Sequence, residues 1–248
     1  MTNGRRFKTA FILGAGLGMR LRPLTDHCPK PLLEIGGRPV ITYVMDHLIG
    51  AGIERFIVNT HYCPDVYREK FPDKSWQGIP IFFRYEPVLL DTAGGLKNIA
   101  DLLIDDRTIF CYNGDVITDL PLQELIQLHE QRHTEATLAL RSNVPPAKSQ
   151  LLNVDVNATG EICDLRGTLQ QPGVQRCLFT GIYAINTSIL KHIESGKVES
   201  IIDVFLRRIV AKPGSVAGAV INEGRWHDIG SLDEYESLKA SKKFPERK

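Results

Sequence analysis

Apolar and polar positions follow two rhythms along this chain. Short apolar runs bounded by turn residues fit buried strands, and apolar residues three or four apart fit helices lying on a sheet. The run "KTAFIL" (residues 8–13) predicts a buried strand. "PVITYVMDHLIGAGI" has helical spacing at Val40, Tyr43, Val44, His47 and Leu48, with Gly50 and Gly52 as its stop. "RFIVN" (55–59), "IPIFFRYE" (79–86), "TIFCYN" (108–113) and "EATLALRS" (135–142) read as further strands. Between them "CPDVYREKF", "GGLKNIADLL" and "PLQELIQLHEQRH" read as helices. This alternation predicts an α/β fold, a Rossmann-like and mostly parallel sheet flanked by helices on both faces. Ligands of such sheets sit beyond the carboxyl ends of the strands. Residues 14–18, 86–95 and 113–115 each follow a strand end, so all three are expected at one crevice.

The texture changes after Pro145. "LLNVDVNATGEICDLRG" predicts a hairpin turning at "NATG", and "RCLFTGIYAIN" a further strand. "SIIDVFLRRIV" is helical, "SVAGAVIN" and "RWHDIG" are strands, and "SLDEYESLKAS" is a last helix. Ser231 followed by Glu234 matches a capping box, and "KKFPERK" is expected to fray. No Ser/Gly/Pro-rich linker divides the chain. One domain over 1–248 is expected, with a first lobe to about residue 145, a small β-rich lobe at about 146–225, and a final segment at 226–242.

Composition narrows the partners. Hydrophobic residues make up 43% and charged residues 24%, and the net charge is +1. There is no global field for nucleic acid or an anionic membrane, so an anion site must be built locally. No apolar run approaches membrane-spanning length, and the first eight residues do not form a signal peptide. Cys28, Cys63, Cys111, Cys163 and Cys177 form no C-x-x-C pair, which suits a reducing cytoplasm. His27, His61 and His227 match no metal-ligand spacing.

The richest stretch is "FILGAGLGMRLRPLTDHCPKPLLEIGGRP" (11–39). A dinucleotide fingerprint would read G-x-G-x-x-G and open a helix. Here Gly14, Gly16 and Gly18 are spaced G-x-G-x-G, Met19 takes the third-glycine place, and Pro23 would break the helix. Glu34 lies where a ribose-binding acid belongs, on the wrong kind of element. A phosphate-wrapping loop fits better. Its glycines expose N–H groups, Arg20 offers a fork for phosphate, and Pro29 and Pro31 hold Lys30 in place. Cations at both ends of a stiff loop suit a polyphosphate.

The same residues resemble the signature of the nucleotide-sugar pyrophosphorylases, or sugar-1-phosphate nucleotidyltransferases. That signature runs from a glycine loop through x-R-x-x-P-L-T and P-K-P to a G-x-P step into a helix. This chain has "GAGLGMRLRPLT", "PKPLLEI" and "GGRPVI". Gly14 stands where alanine is usual, a change expected only to loosen the turn. "DTAGGLKNI" resembles the G-T-A-G-A/G segment, with Asp91 where glycine is frequent. "YNGDVITD" resembles the N-G-D metal motif, "FTGIYAIN" the T-G-[LI]-Y strand, and "RWHDIGSLDEY" the W-x-D-x-G-[ST] motif. The resemblance spans nearly the whole chain, in order.

The resemblance implies a glycosyltransferase-A-like nucleotidyltransferase fold. It also implies a reaction joining a nucleoside triphosphate to a sugar 1-phosphate, with release of pyrophosphate. Mg²⁺ would be held by Asp115 and Asp228. Arg20 would contact the β,γ-phosphates, and Lys30 the α-phosphate and the attacking phosphate. Leu13, Gly14, Ala15, Gly16, Gly18, Glu86, Gly94, Gly95 and Asn113 would bind the nucleotide. Gly181 and Tyr183, beside Thr180, would shape the sugar pocket. The family's E-x-K-P lysine is missing from "EICDLRGTLQQPG", and Arg166 is the candidate replacement. The chain carries no left-handed β-helix repeat. "LDTAGG" and "HDIGSLDEYESL" look most like muramic-sugar uridylyltransferases, which puts uridine first, guanosine second and deoxythymidine third. Mannose- and heptose-1-phosphate guanylyltransferases are the alternatives within the family. A non-catalytic nucleotide-sugar sensor is the alternative outside catalysis.

Overall fold

A computed structural model describes residues 7–241, so the tail "KKFPERK" lies outside the described residues. The first elements in chain order are β1 (Phe7–Leu13), β2 (Glu34–Ile35), β3 (Arg38–Pro39), α1 (Val40–Gly50), β4 (Arg55–Thr60), α2 (Pro64–Lys70), β5 (Ser75–Trp76) and β6 (Ile79–Tyr85). Then come α3 (Asp91–Asn98), β7 (Thr108–Asn113), β8 (Val116–Thr118), α4 (Leu122–Arg132), β9 (Ala136–Arg141), β10 (Val154–Val156) and β11 (Ile162–Leu165). The chain closes with β12 (Gln175–Asn186), α5 (Ile201–Ala211), β13 (Val216–Val220), β14 (Trp226–Asp228) and α6 (Leu232–Ser241). Among the described residues no helix is long and apolar enough to cross a membrane.

The chain divides into two compact units. The first holds the described residues up to Leu89 together with Tyr112–Asp119 and those from Gly224 onward. The second holds Leu90–Cys111 and Leu120–Glu223.

In the first unit β1, β4 and β6 run parallel, with Phe11 opposite Ile57 and Ile57 opposite Phe82. Ala10, Phe11, Ile12, Phe56, Ile57 and Val58 have no exposed surface, the continuous apolar runs that a sheet covered on both faces requires. Helix α1 starts after Pro39 and ends at Gly50, with Gly52 at φ 91°, so the predicted stop is in place. Pro64 opens α2 in the first turn, where its missing N–H costs nothing. Two antiparallel ribbons complete the unit, β8 with β14 and β2 with β3. Strand β8 is a three-residue piece, too short to show a period in the sequence.

The second unit is organised on β12. It pairs antiparallel with β9 (Tyr183 opposite Leu138) and with β10 (Cys177 opposite Val154), and β13 runs parallel to β9. The β10–β11 hairpin turns where expected: Asn157 Oδ1 accepts from the N–H groups of Thr159 and Glu161, both at 2.9 Å, and Gly160 has φ 80°. Helix α5 is fastened by Arg208, whose fork donates to both oxygens of Glu135 at 2.7 and 3.0 Å.

Candidate functional site

The glycine loop leaves β1 under tight control. The carbonyl of Leu13 accepts from Gly114 N–H at 3.0 Å, which ties the loop to the N-G-D turn. Gly14 N–H donates to Asn59 Oδ1 at 2.8 Å, and the Tyr67 hydroxyl donates to the Gly14 carbonyl at 2.9 Å. Thereafter, among the described residues, the N–H groups of Ala15, Gly16, Leu17 and Gly18 meet no protein acceptor. A run of N–H groups without internal partners is what an anion-binding loop presents. Gly16 is exposed, and a Cβ there would meet nothing within 4 Å, so no neighbour in the chain calls for glycine at this position. Gly18 is at φ 62°, with its carbonyl held by Thr25 Oγ1 at 2.9 Å.

Gly14 corrects the expectation that glycine merely loosens the turn. A methyl at this position would lie 2.7 Å from the Tyr67 hydroxyl, 2.8 Å from the Asn59 carbonyl and 3.0 Å from Val58. The glycine makes room for a fully buried tyrosine whose hydroxyl stands where the alanine methyl would point. Gly114 is equally constrained, since its Cβ would lie 2.6 Å from the Leu13 carbonyl.

Beyond the glycines there is no helix. Single turns at Met19–Leu21 and Lys30–Leu32 flank the proline-rich segment. Arg20 is exposed on the first turn and Lys30 half-buried on the second, where its Nζ forms an ion pair with Asp115 Oδ2. Asp115 follows Gly114, and Asp228 ends β14 opposite Val116. Ile229 N–H donates to the Asp115 carbonyl at 3.2 Å, so the two aspartates are cross-strand neighbours. The Asp228 carboxyl is pushed up to about 6, first by burial and next by the charge of Asp115, with Lys30 and Arg20 opposing the shift and Glu234 adding to it. Gly230 lies where these groups meet. A Cβ there would be 3.0 Å from Glu234 Oε2, 3.4 Å from Asp228 Oδ2 and 3.6 Å from Arg20 Nη1. Ser231 and Glu234 form the predicted capping box, with Glu234 N–H donating to Ser231 Oγ at 3.3 Å and Gly230 N–H to Glu234 Oε2 at 3.1 Å.

One apolar cluster holds these distant residues together. Leu21, Leu33, Ile117 and Ile229 pack with Ile35, Val40, Tyr43, Tyr235 and Leu238. Each of the first four lies within three residues of Arg20, Lys30, Asp115 or Asp228 respectively. Helix α6 closes the cluster, and the Tyr235 hydroxyl donates to the Glu34 carbonyl at 2.8 Å.

A crowded pair of carboxylates, one of them reluctant to ionise, is short of positive charge. A hard divalent cation that takes oxygen ligands fits that donor set. Among the described residues no group of three or more His, Cys, Asp or Glu side chains is arranged around a metal position, so phosphate oxygens and water would have to complete the shell.

The remaining expected residues are placed differently. Asn113 is half-buried at the end of β7. Glu86 has no exposed surface, and its Oε1 accepts from Asn59 Nδ2 at 2.8 Å. In the second unit, α3 starts at Asp91, ahead of the predicted 94. Asp91 takes φ 59°, a left-handed conformation that glycine adopts most easily. Gly94 and Gly95 are buried within α3, and a Cβ on Gly94 would collide with the Lys197 carbonyl, so packing alone demands that glycine. Gly181, at φ 82°, forms the bulge in β12. Tyr183 has 1% exposure and packs on Phe205 and Phe179 at 5.6 and 5.8 Å, and burial raises its phenol well above the usual range. Arg166 sits exposed on a turn at φ 61°. The loop after it is tethered by Asp164, which accepts from Leu169 and Gln171 N–H at 3.1 and 3.2 Å.

Sequence reasoning missed Asn59 and Tyr67. Asn59 had a signal: a polar residue closing an apolar strand at the carboxyl edge of the sheet.

Comparison with known proteins bears on the family and the fold. The Nucleotidyl transferase family model matches residues 9–244. The chain is 29% identical over 226 residues to a mannose-1-phosphate guanylyltransferase of Mycobacterium tuberculosis, covering 91% of this chain and 62% of that protein. It is 32% identical over 247 residues to a mannose-1-phosphate guanyltransferase of Yarrowia lipolytica, covering 95% of this chain and 66% of that one. It therefore spans less than two thirds of the length of these relatives. A solved structure from Bacillus anthracis, assigned as a glucose-1-phosphate thymidylyltransferase, superposes with a TM-score of 0.80 at 19% identity, covering 98% of each chain. At that identity the likeness is one of fold, a mixed and mostly parallel sheet flanked by helices. With the family model running over nearly all of its length, the chain belongs to the nucleotidyl transferase family.

Proposed function

We propose that this chain is a sugar-1-phosphate nucleotidyltransferase, joining a nucleoside triphosphate to a sugar 1-phosphate. The observation that carries the reading is the convergence, in one compact unit, of a run of unpartnered loop N–H groups with Arg20, Lys30, Asp115 and Asp228. An oxygen of the sugar phosphate attacks the α-phosphorus, and the bond to the bridging oxygen breaks as pyrophosphate takes its electron pair. Two anions must meet, so positive charge and fixed approach geometry are the main requirements. The N–H groups of residues 15–18 and Arg20 hold the β- and γ-phosphates and stabilise the leaving group. Lys30 exchanges Asp115 for the α-phosphate and the incoming phosphate. Asp115 and Asp228 would hold a divalent cation, Mg²⁺ by preference, which would offset charge on the α-phosphate. Asn113 borders the nucleotide, and the Gly181 bulge and Arg166 belong to the sugar side. Five free thiols suit a reducing cytoplasm.

Among substrates, the relatives favour guanosine triphosphate with mannose 1-phosphate over the uridine–muramate pair that the sequence ranked first. The test is pyrophosphate release from a panel of GTP, UTP and dTTP with mannose, heptose, glucose and N-acetylmuramate 1-phosphates, with and without Mg²⁺. Metal-dependent turnover is expected, fastest with GTP and mannose 1-phosphate. Tight nucleotide binding with no turnover for any pair would replace the enzyme with a sensor.

A further inference from the structure

The reaction scheme leaves unused a buried relay beneath the glycine loop. Asn59 is the penultimate residue of β4, and Glu86 follows β6, its N–H donating to the Thr60 carbonyl at 2.8 Å. Asn59 and Glu86 are 3% and 0% exposed. Asn59 accepts from Gly14 N–H with Oδ1 and donates to Glu86 Oε1 with Nδ2, both at 2.8 Å. An amide side chain accepts with its oxygen and donates with its nitrogen, so it can bridge a donor and an acceptor in this fashion. Both partners select the same orientation of the amide: the Gly14 N–H can only donate, so the oxygen turns toward it, and the nitrogen then donates to the Glu86 oxygen. Glu86 is itself held in place, with His61 Nδ1 at 2.8 Å from its carbonyl.

What the relay controls is one peptide plane. The Leu13–Gly14 peptide is fixed at its carbonyl by Gly114 N–H and at its N–H by Asn59. The next carbonyl is fixed by the Tyr67 hydroxyl. Two consecutive peptide planes are thus locked, the second carrying the Ala15 N–H, the first of the N–H groups of residues 15–18 that have no acceptor of their own among the described residues. Burying an acid and an amide costs free energy unless both are fully bonded, and apolar packing would serve stability as well. An aimed loop gives the arrangement a purpose.

We propose that Asn59 is a positioning residue for the nucleotide, aiming the loop N–H groups at phosphate by fixing the Gly14 peptide, with Glu86 holding the other end of its amide. The proposal rests on the nucleotidyltransferase reading above. The test is a swap of polarity in the full chain. Asn59→Asp sets two carboxylates against each other and should raise the KM for triphosphate about tenfold, leaving the KM for sugar phosphate within about twofold. Adding Glu86→Gln restores a donor–acceptor pair of reversed polarity, since Asp accepts from both Gly14 N–H and the glutamine amide. The double variant should bring the triphosphate KM back to within about threefold of wild type. Calorimetric Kd for GTP follows the same series without needing turnover, so loss of the catalytic reading and loss of the relay are told apart. If Asn59→Asp does not fold, the double variant still decides, against Asn59→Ala. A merely structural role would lower thermal stability and move both KM values alike. That outcome, an unchanged triphosphate KM and Kd in Asn59→Asp, or a folded double variant no better than Asn59→Ala, would overturn the proposal.

Discussion

Asp228→Asn should make the protein more stable while removing the proposed nucleotidyl transfer. In the folded chain the Asp228 carboxyl releases its proton near 6, against an ordinary value of 3.8. The folded state therefore has an advantage below the ordinary value that is lost as pH rises through about 6, and above that pH the ionised carboxylate weighs against folding. A difference of that size corresponds to roughly 3 kcal/mol, and because Asp228 is only partly buried and solvent screens part of the effect, the expected gain is about 1–3 kcal/mol. Asparagine keeps the shape and cannot ionise. Urea unfolding of both proteins in chelator should show the variant more stable by that amount at about pH 7.5, with the gap closing as pH falls from about 6 and gone below the ordinary value of 3.8. Adding Mg²⁺ should stabilise the wild type and not the variant, because only the wild type keeps both carboxylates. A variant less stable than wild type at neutral pH, or a gap indifferent to pH, would refute the account of a carboxylate strained by burial and like charge.

Other perturbations read different parts of the first and second units. Gly14→Ala forces a methyl against the Tyr67 hydroxyl and should cost about 2–3 kcal/mol in urea unfolding; Tyr67→Phe should cost about 1 alone and relieve part of the alanine's cost, so the double variant falls short of the sum. Glu135 is held below the ordinary carboxylate range, first by its hydrogen bonds from Arg208, so its contribution is present above that ordinary value and lost as pH falls through the lowered one. Glu135→Gln should therefore be less stable than wild type by about 1–2 kcal/mol near neutrality, the difference vanishing on acidification below about pH 4; a constant difference would deny the ion pair its role.

The elements were legible because most carry their period locally. The hairpin at "NATG", the capping box at Ser231 and the proline-bound turns around Lys30 depend on neighbours within a few residues. What stayed hidden depends on packing between segments far apart. Gly94 looked like a ligand-facing glycine, yet the Lys197 carbonyl requires it. Tyr183 lies in a motif strand but is sealed against Phe205, and no sequence pattern says which face of a bulged strand is inside. Glu86 follows a strand end as a site residue should, yet turns inward to Asn59.

The site itself shows why a motif list and a structure can agree while explaining different things. The motifs name the charged residues, but nothing in a charged residue brings it to its partners; burial first, and then the like charge of Asp115, oppose the ionised form of Asp228 and raise its carboxyl. The force that joins them is apolar. Leu21, Leu33, Ile117 and Ile229 are each almost fully buried in one cluster with Tyr235 and Leu238 of α6. Burying a side chain of this size contributes on the order of 2 kcal/mol, so the cluster as a whole exceeds the few kcal/mol that the opposed carboxylates cost. The last helix carries no catalytic group, yet it ties the loop, the N-G-D turn and the W-x-D strand to one floor. A charge-strained site can persist in the folded protein because its strain is offset by hydrophobic contacts one to three residues away.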